Sequence, residues 1–175
     1  MIPDKYKWLL KEPAPKMLIE ALKLVGTKEM PGTKDNPEII EWAQETGLNK
    51  VYSADSIPWC GLFMAVVAKR SGKTVPKDPL WALNWRNFGV VASPGMLGDV
   101  LVFKRESGGH VALYVGEDKD CYHILGGNQS DAVTITRILK ARCVGIRRPV
   151  YSIAQPPNVR RIYLSASGDV STNEA

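Results

Sequence analysis

The residue types in this chain that could support nucleophilic catalysis are cysteine and histidine, and they are few: Cys60, Cys121, Cys143, His110 and His123. Cys60 stands in the first turn of a predicted helix, within D-S-I-P-W-C-G-L-F. The positive end of a helix can lower a thiol pKa enough to give a thiolate at neutral pH. Free cysteine is also among the most buried residue types, so a packed and inert thiol is the alternative. Only a base within reach of Cys60 would favour the catalytic interpretation.

The two histidines differ in their predicted surroundings. His110 follows Gly108-Gly109 and opens a predicted strand, where its ring would stand at the end of a sheet. His123 lies in the middle of another predicted strand, and a lone histidine there is more often structural than catalytic. We therefore expect His110 to be the base.

A general base needs a third residue that holds one of its ring nitrogens. The candidates are Asn128 and Gln129, in L-G-G-N-Q-S, with His123 on the strand before them. Strand alternation places Asn128 on one face, and His123 and Gln129 on the other. Only one of these faces can point to Cys60. The same glycine-rich stretch also fits a polar hairpin turn with no catalytic role.

Four helices are predicted before the strands begin. Their signals are apolar spacing, an N-cap residue followed by Pro, and a Gly stop. The segments are Lys16 to Val25, Pro37 to Thr46 after the cap Asn36, Trp59 to Arg70, and a short helix from Asp78-Pro79 to Gly89.

From Gly98 onward the sequence consists of short apolar or alternating segments separated by turn residues, which predicts antiparallel strands. The runs are D-V-L-V-F, H-V-A-L-Y-V-G, C-Y-H-I-L-G-G, A-V-T-I-T-R and C-V-G-I-R-R, with a further possible strand at Arg161 to Leu164. Helices first and strands later predict an α+β domain with helices packed on one face of a sheet.

The 175 residues suit one domain, divided as a lead-in at 1–15, a catalytic domain at 16–150, and a C-terminal strand with a mobile tail at 151–175. No apolar run approaches the length of a spanning helix, and the first residues carry no signal-peptide core. Three cysteines without a C-x-x-C pair fit neither a disulfide framework nor a zinc knuckle. We therefore expect a cytoplasmic chain with at least one free thiol.

A formal net charge of +5 favours an anionic partner. Seven basic residues follow position 136 without an acid among them: Arg137, Lys140, Arg142, Arg147, Arg148, Arg160 and Arg161. They form either a solvated face of the sheet or a surface that adheres to an anionic wall or membrane.

Two residues beside Cys60 have competing interpretations. Asp55 either caps the loop before the helix or binds a substrate amine. Trp59 either lines a cleft or packs in the core.

Taken together, several motifs resemble those of the NlpC-type and CHAP cysteine amidohydrolases. They are a cysteine opening a helix after D-x-x-P-W, the strand G-D-V-L-V-F, then G-H-V-A-L-Y-V-G and L-G-G-N-Q, over roughly residues 26–149. Within that family the chain most resembles small lysins of phages and prophages. The resemblance implies a papain-like fold, with Cys60 as nucleophile, His110 as base and Asn128 as the third residue. His123 is the alternative third residue, and Trp59, Asp55 and Gln129 would bind substrate.

The function implied by this resemblance is peptidoglycan hydrolysis at an amide bond, without cofactor or metal. The bond is either the muramoyl–L-alanine amide or one within the stem peptide. We expect a monomer that does not bind nucleic acid, and that waits in the host cytoplasm until a holin opens the membrane. Two alternatives remain: an interbacterial toxin with the same chemistry, and a non-catalytic module that binds cell wall or nucleic acid.

Overall fold

The computed structural model describes residues 2–152, 155–172 and 174, and this part of the chain forms an α+β domain. The three α-helices precede all six strands, as the sequence predicts. The helices are α1 (Lys16–Lys23), α2 (Pro37–Thr46) and α3 (Cys60–Arg70). Within the same residues, 3₁₀ helices span Asp4–Leu10, Ala82–Asn87 and Lys140–Arg142.

Helix α2 illustrates how local chemistry sets an element. The Asn36 side chain accepts a hydrogen bond from the Glu38 N–H at 2.9 Å, which satisfies one of the unpaired donors of the first turn. Pro37 needs no donor at the first helical position, and Gly47 ends the helix in the left-handed conformation at φ 75°. The predicted bounds of this helix are confirmed.

Six strands form one antiparallel sheet. They are β1 (Val90–Val91), β2 (Val100–Lys104), β3 (Gly109–Glu117), β4 (Cys121–Gly126), β5 (Thr134–Leu139) and β6 (Cys143–Arg148). Their order across the sheet is β1-β6-β2-β3-β4-β5. Strands β2 to β5 follow the predicted meander, but β6 returns to pair with the other edge of β2. A simple meander is therefore wrong for the last strand.

The sheet is covered on both faces, which is why its central strands are buried throughout. One face packs against the three α-helices through residues such as Val111, Leu113 and Leu125. The other face carries a smaller cluster that includes Tyr114 and Ile124 and is covered by Ile162. Because both faces are apolar, the strands lack the clean alternation of a half-exposed sheet.

Helix α3 is the central helix of the domain. Every residue from Cys60 to Ala68 is buried, and the helix contacts α1, α2, β3 and β4. A helix that is apolar on all sides must be surrounded by protein. Its first residue is thereby fixed against the sheet.

Other local predictions need correction. The helix predicted from Asp78 is only the 3₁₀ turn at Ala82–Asn87, because Asp78 adopts φ 49° and does not cap it. The strand predicted at Arg161 to Leu164 is reduced to a single parallel bridge between Tyr163 and Glu117. The sequence also gave no indication of the two-residue strand β1.

Described residues near both ends of the chain pack against the domain, whereas residues 1, 153–154, 173 and 175 lie outside the described part. In the predicted lead-in, Tyr6 and Leu9 are buried in the helix-side core. In the predicted mobile tail, Val170 bridges to Arg137 of β5 in parallel orientation. Hydrogen bonds and apolar contacts therefore hold these segments, which composition alone described as peripheral.

Candidate active site

Cys60 is the first residue of α3 and lies against strand β3. The Val111 N–H is close enough to the Cys60 sulfur to favour its thiolate, as are the N–H groups of Cys60 and Gly61 at the helix start. Gly61 is required for this packing, since a Cβ there would stand 2.2 Å from the carbonyl oxygen of Pro79. The fold thus brings Cys60 beside the strand that carries His110.

His110 lies on β3 opposite Phe103 of β2, and its ring is held by Gln129. Gln129 Oε1 lies 3.0 Å from His110 Nε2, and Gln129 Nε2 donates to the Thr134 carbonyl oxygen at 2.7 Å. The second bond turns the amide oxygen toward the ring, so Nε2 carries the proton. His110 Nδ1 is then the nitrogen that can accept a proton from a thiol.

Two glycines let Gln129 reach the ring. A Cβ on Gly126 would stand 2.8 Å from Gln129 Oε1, and a Cβ on Gly127 would stand 2.6 Å from the Cβ of Phe63. The first glycine leaves room for the amide and the second for the approach of α3. The G-G-N-Q stretch thus shapes the site through its glycines as well as its polar side chains.

Asn128 does not hold the histidine ring, contrary to our expectation. It adopts φ 55°, and its neighbours Ser130 and Asp131 also have positive φ. Asparagine tolerates this left-handed region better than most residues. Its position fits a turn that presents the next residue, Gln129, to His110.

His123, the alternative third residue, belongs to a separate buried network. Its Nδ1 accepts a hydrogen bond from the Tyr6 hydroxyl at 2.7 Å, and its Nε2 donates to Asp118 Oδ2 at 2.8 Å. Arg137 Nε donates to the same carboxylate oxygen at 2.8 Å. Both ring nitrogens are therefore occupied away from Cys60, which indicates a structural role.

Replacing His123 with alanine is expected to lower the free energy of unfolding by about 2–4 kcal/mol, because it leaves a cavity and removes partners from buried Tyr6 and Asp118. The rate of peptidoglycan amide hydrolysis per folded molecule should remain near that of the wild type. Urea denaturation and initial rates measured on the same preparation check this. A stable variant without activity would restore His123 as a catalytic candidate.

Trp59 and Asp55 are placed as packing and capping residues. Trp59 is fully buried against Trp42, with its indole N–H donating to Glu29 Oε1 at 2.6 Å, so it does not line an open cleft. Asp55 Oδ2 accepts hydrogen bonds from the backbone N–H groups of Met30 and Asn36. The predicted substrate contacts of these two residues have no support in this arrangement.

Burial dominates the protonation states of Cys60 and His110. It raises the pKa of the Cys60 thiol, although the Val111 N–H and the charge of Arg105 act in the opposite direction. It lowers the pKa of His110 to about 4, against the opposing effects of Glu174 and Gln129. Both groups are therefore neutral at pH 7 in this closed arrangement, and the helix end does not by itself give a thiolate.

Stability is expected to fall as the pH is lowered from 6.5 to 5. Folded His110 stays neutral there, whereas the unfolded chain binds a proton below about 6.5, so protonation favours unfolding. For His110 the loss is about 2 kcal/mol over this range. Burial also lowers the pKa of His123, which adds in the same direction. Urea denaturation at several pH values gives the free energy of unfolding as a function of pH, and its slope should be shallower for His110→Gln than for the wild type. An equal slope would contradict the lowered pKa of His110.

Most of the basic run is neutralised by acids from elsewhere in the chain. The ion pairs are Arg137 with Asp118, Lys140 and Arg161 with Glu117, Arg142 with Glu174, Arg148 with Asp99, and Arg160 with Glu12. Arg147 instead donates to the backbone carbonyl oxygens of Phe88 and Gly89. The run is therefore not a bare cationic surface, which weakens its interpretation as an adhesive patch.

Sequence reasoning did not connect Glu174 or Arg142 with His110. The charges of Glu174 and Arg142 both influence the pKa of its ring, and these two residues form an ion pair with each other. No motif marks them, because they lie 64 and 32 positions from His110 in the chain. Only the tertiary structure brings them to the site.

The described residues contain no group of three His, Cys, Asp or Glu side chains that could hold a metal ion. Their longest α-helix, α3, has 11 residues, and no helix among them is long and apolar enough to cross a membrane. Compared with protein-family profiles, curated proteins and solved structures, the chain has no significant match. These comparisons therefore do not show a family for this chain.

Proposed function

We propose that this chain is a papain-like cysteine amidohydrolase of the NlpC/CHAP kind that cleaves an amide bond of bacterial peptidoglycan. One observation supports it above all: a cysteine at a helix N-terminus lies beside the strand of a histidine whose Nε2 is held by an amide side chain. Nucleophile, base and orienting residue are the three parts that such chemistry needs.

The reaction begins with proton transfer from Cys60 to His110 Nδ1 and attack of the sulfur on the amide carbonyl carbon. The N–H groups at the start of α3 stabilise the negative charge on the carbonyl oxygen. His110 then gives its proton to the leaving amine as the C–N bond breaks, which leaves a thioester. Water deprotonated by His110 attacks the thioester and releases a carboxylate, which restores the thiol.

Gln129 acts as a positioning residue in this scheme. Its Oε1 accepts the Nε2 proton of His110 in every protonation state, so that Nδ1 remains the nitrogen that can accept and return a proton. A neutral amide in this role stabilises the imidazolium less than a carboxylate would. Asn128 supports it through the turn conformation.

The biological setting that fits this chemistry is lysis by a phage or prophage enzyme held in the host cytoplasm until the membrane opens. A non-catalytic binding module fits less well, because the basic run is largely ion-paired and Cys60 lies against the strand that carries His110.

Mass spectrometry of purified peptidoglycan after digestion tests the proposal. A newly freed L-alanine amine would indicate an amidase, and a new amine within the stem would indicate an endopeptidase. The Cys60→Ala variant, purified in the same way, should release neither product. Products cut only between sugars would refute the reaction class.

A further inference from the structure

The catalytic residues are closed off from solvent. Cys60, His110 and Gln129 are 6%, 1% and 3% exposed, so a substrate cannot reach the sulfur without a movement of the protein. The candidate for that movement is a segment near the end of the described chain, residues 168–172 together with Glu174, here named the strap.

The strap is held on β5 by backbone pairing. Val170 bridges to Arg137, the Ser171 N–H donates to the Arg137 carbonyl oxygen at 2.8 Å, and Arg137 Nη1 donates to the Gly168 carbonyl oxygen at 2.6 Å. β5 is the outermost strand of the sheet on this side. An extended peptide added to an edge strand is a common mode of peptide recognition. The strap occupies the position that a peptide ligand would take.

The strap also delivers a carboxylate to the site. Arg142 Nη1 and Nη2 donate to Glu174 Oε1 and Oε2, each at 2.8 Å, and the Ser171 hydroxyl adds a bond of 3.1 Å. This bidentate geometry is the strongest form of carboxylate recognition by arginine. The Glu174 side chain is fully buried, and its charge acts on His110.

The strap and the orienting residue share one cavity. Gln129 and Thr134 line a space of about 300 Å³ together with strap residues Asp169 to Thr172. Displacing the strap would therefore enlarge a space that already reaches Gln129.

We propose that Arg142 is the receptor for a carboxylate of the peptide substrate, and that Glu174 fills this position while the strap covers the site. This inference rests on the proposed function, because it takes the substrate to be a peptide. A substrate carboxylate that replaces Glu174 leaves Arg142 paired and releases Glu174 to water, so the exchange leaves no charge buried without a partner. Binding and opening are thereby one event.

Labelling of Cys60 by iodoacetamide tests the cover without any substrate. Glu174→Gln weakens the ionic contact, and Ser171→Pro removes the N–H bonded to Arg137. Each should raise the labelling rate about tenfold or more, as followed by mass spectrometry of the Cys60 peptide. The matched control is Glu45→Gln, which breaks another bidentate ion pair, that of Glu45 with Arg70. That pair lies at the far end of α3, about 15 Å along the helix from Cys60. If Cys60 is labelled at the wild-type rate in both variants, the strap does not cover Cys60.

Binding to catalytically silent protein tests the carboxylate position. The probes are soluble disaccharide-peptide fragments of peptidoglycan, and the same fragments with their peptide carboxylates converted to amides. In a Cys60→Ala background, Arg142→Gln should weaken binding of the free-acid fragments at least about tenfold and leave the amide fragments unchanged. Arg142→Lys, which keeps the charge but cannot form the bidentate contact, should give an intermediate loss of affinity for the free-acid fragments. Arg70→Gln should change neither, and thermal unfolding confirms that each variant is folded.

The outcomes separate this inference from the proposed function. An equal loss for both fragments in Arg142→Gln, no loss for either, or no binding by the Cys60→Ala parent would overturn the carboxylate receptor. Free-acid fragments that bind through Arg142 but are not cleaved by the wild-type protein would support the receptor and refute the hydrolase.

Discussion

Cys60→Ala is expected to lower the initial rate of peptidoglycan amide cleavage by at least about 10⁴-fold, because it removes the atom that forms the thioester. The helix-end N–H groups and the binding surface remain, so residual catalysis over water and binding of peptidoglycan should both persist. The measurement is the rate at which new amino groups appear in purified peptidoglycan.

The chain offers two matched controls for this substitution. Cys121 and Cys143 are also free thiols, and burial raises the pKa of both. Cys121→Ala and Cys143→Ala should keep the rate within about twofold of wild type, with the first costing some stability because Cys121 is buried. Retention of full activity by Cys60→Ala would end the hypothesis of a cysteine hydrolase.

Gln129→Ala is expected to reduce kcat by about 10²-fold with little change in KM, because His110 loses the partner that directs Nδ1 to the thiol. The hydrogen bond that His110 donates to Gln129 raises the pKa of His110, so its removal should also shift protonation of the ring to lower pH. NMR titration of the His110 ring reports this shift, which a merely structural role would not produce.

The neighbouring residue supplies the control for Gln129. Asn128→Gly retains the positive φ without strain and should keep kcat within about twofold, whereas Asn128→Ala should cost about 1 kcal/mol of stability and leave kcat unchanged. If Asn128→Gly loses as much activity as Gln129→Ala, the assignment of the orienting residue is wrong.

Local elements were predictable where their signals are confined to neighbouring residues. The cap, N1 proline and terminal glycine of α2 lie within one stretch of chain, and they specify its ends without tertiary help. The return of β6 to β2 was not predictable in the same way, because any apolar strand can pair with either free edge. Contacts across the whole sheet decide between the edges.

The orienting residue shows the same limit within the site. Alternation along β4 predicts Gln129 on the same face as His123, but β4 ends at Gly126, so the alternation does not extend to Asn128 or Gln129. Both faces of the strand are apolar, and either could have met the helices. Leu125 packs on the helix side and Ile124 on the other. Gln129 lies beyond the end of β4, and its Oε1 stands close to where a Cβ on Gly126 would be, on the face of Ala112. His123 is hydrogen-bonded to Tyr6 and Asp118 instead.

The sequence by itself determined the nucleophile candidate, the short choice of histidines and the α+β class, because these depend on residue types and near-neighbour spacing. Tertiary structure alone decided that Gln129 holds His110 from 19 positions away and that Glu174 meets Arg142 from 32. It also decided that burial, not the helix end, controls the thiol pKa. Hydrogen-bond partners and desolvation depend on which distant segments pack together, and a local sequence pattern does not predict that packing.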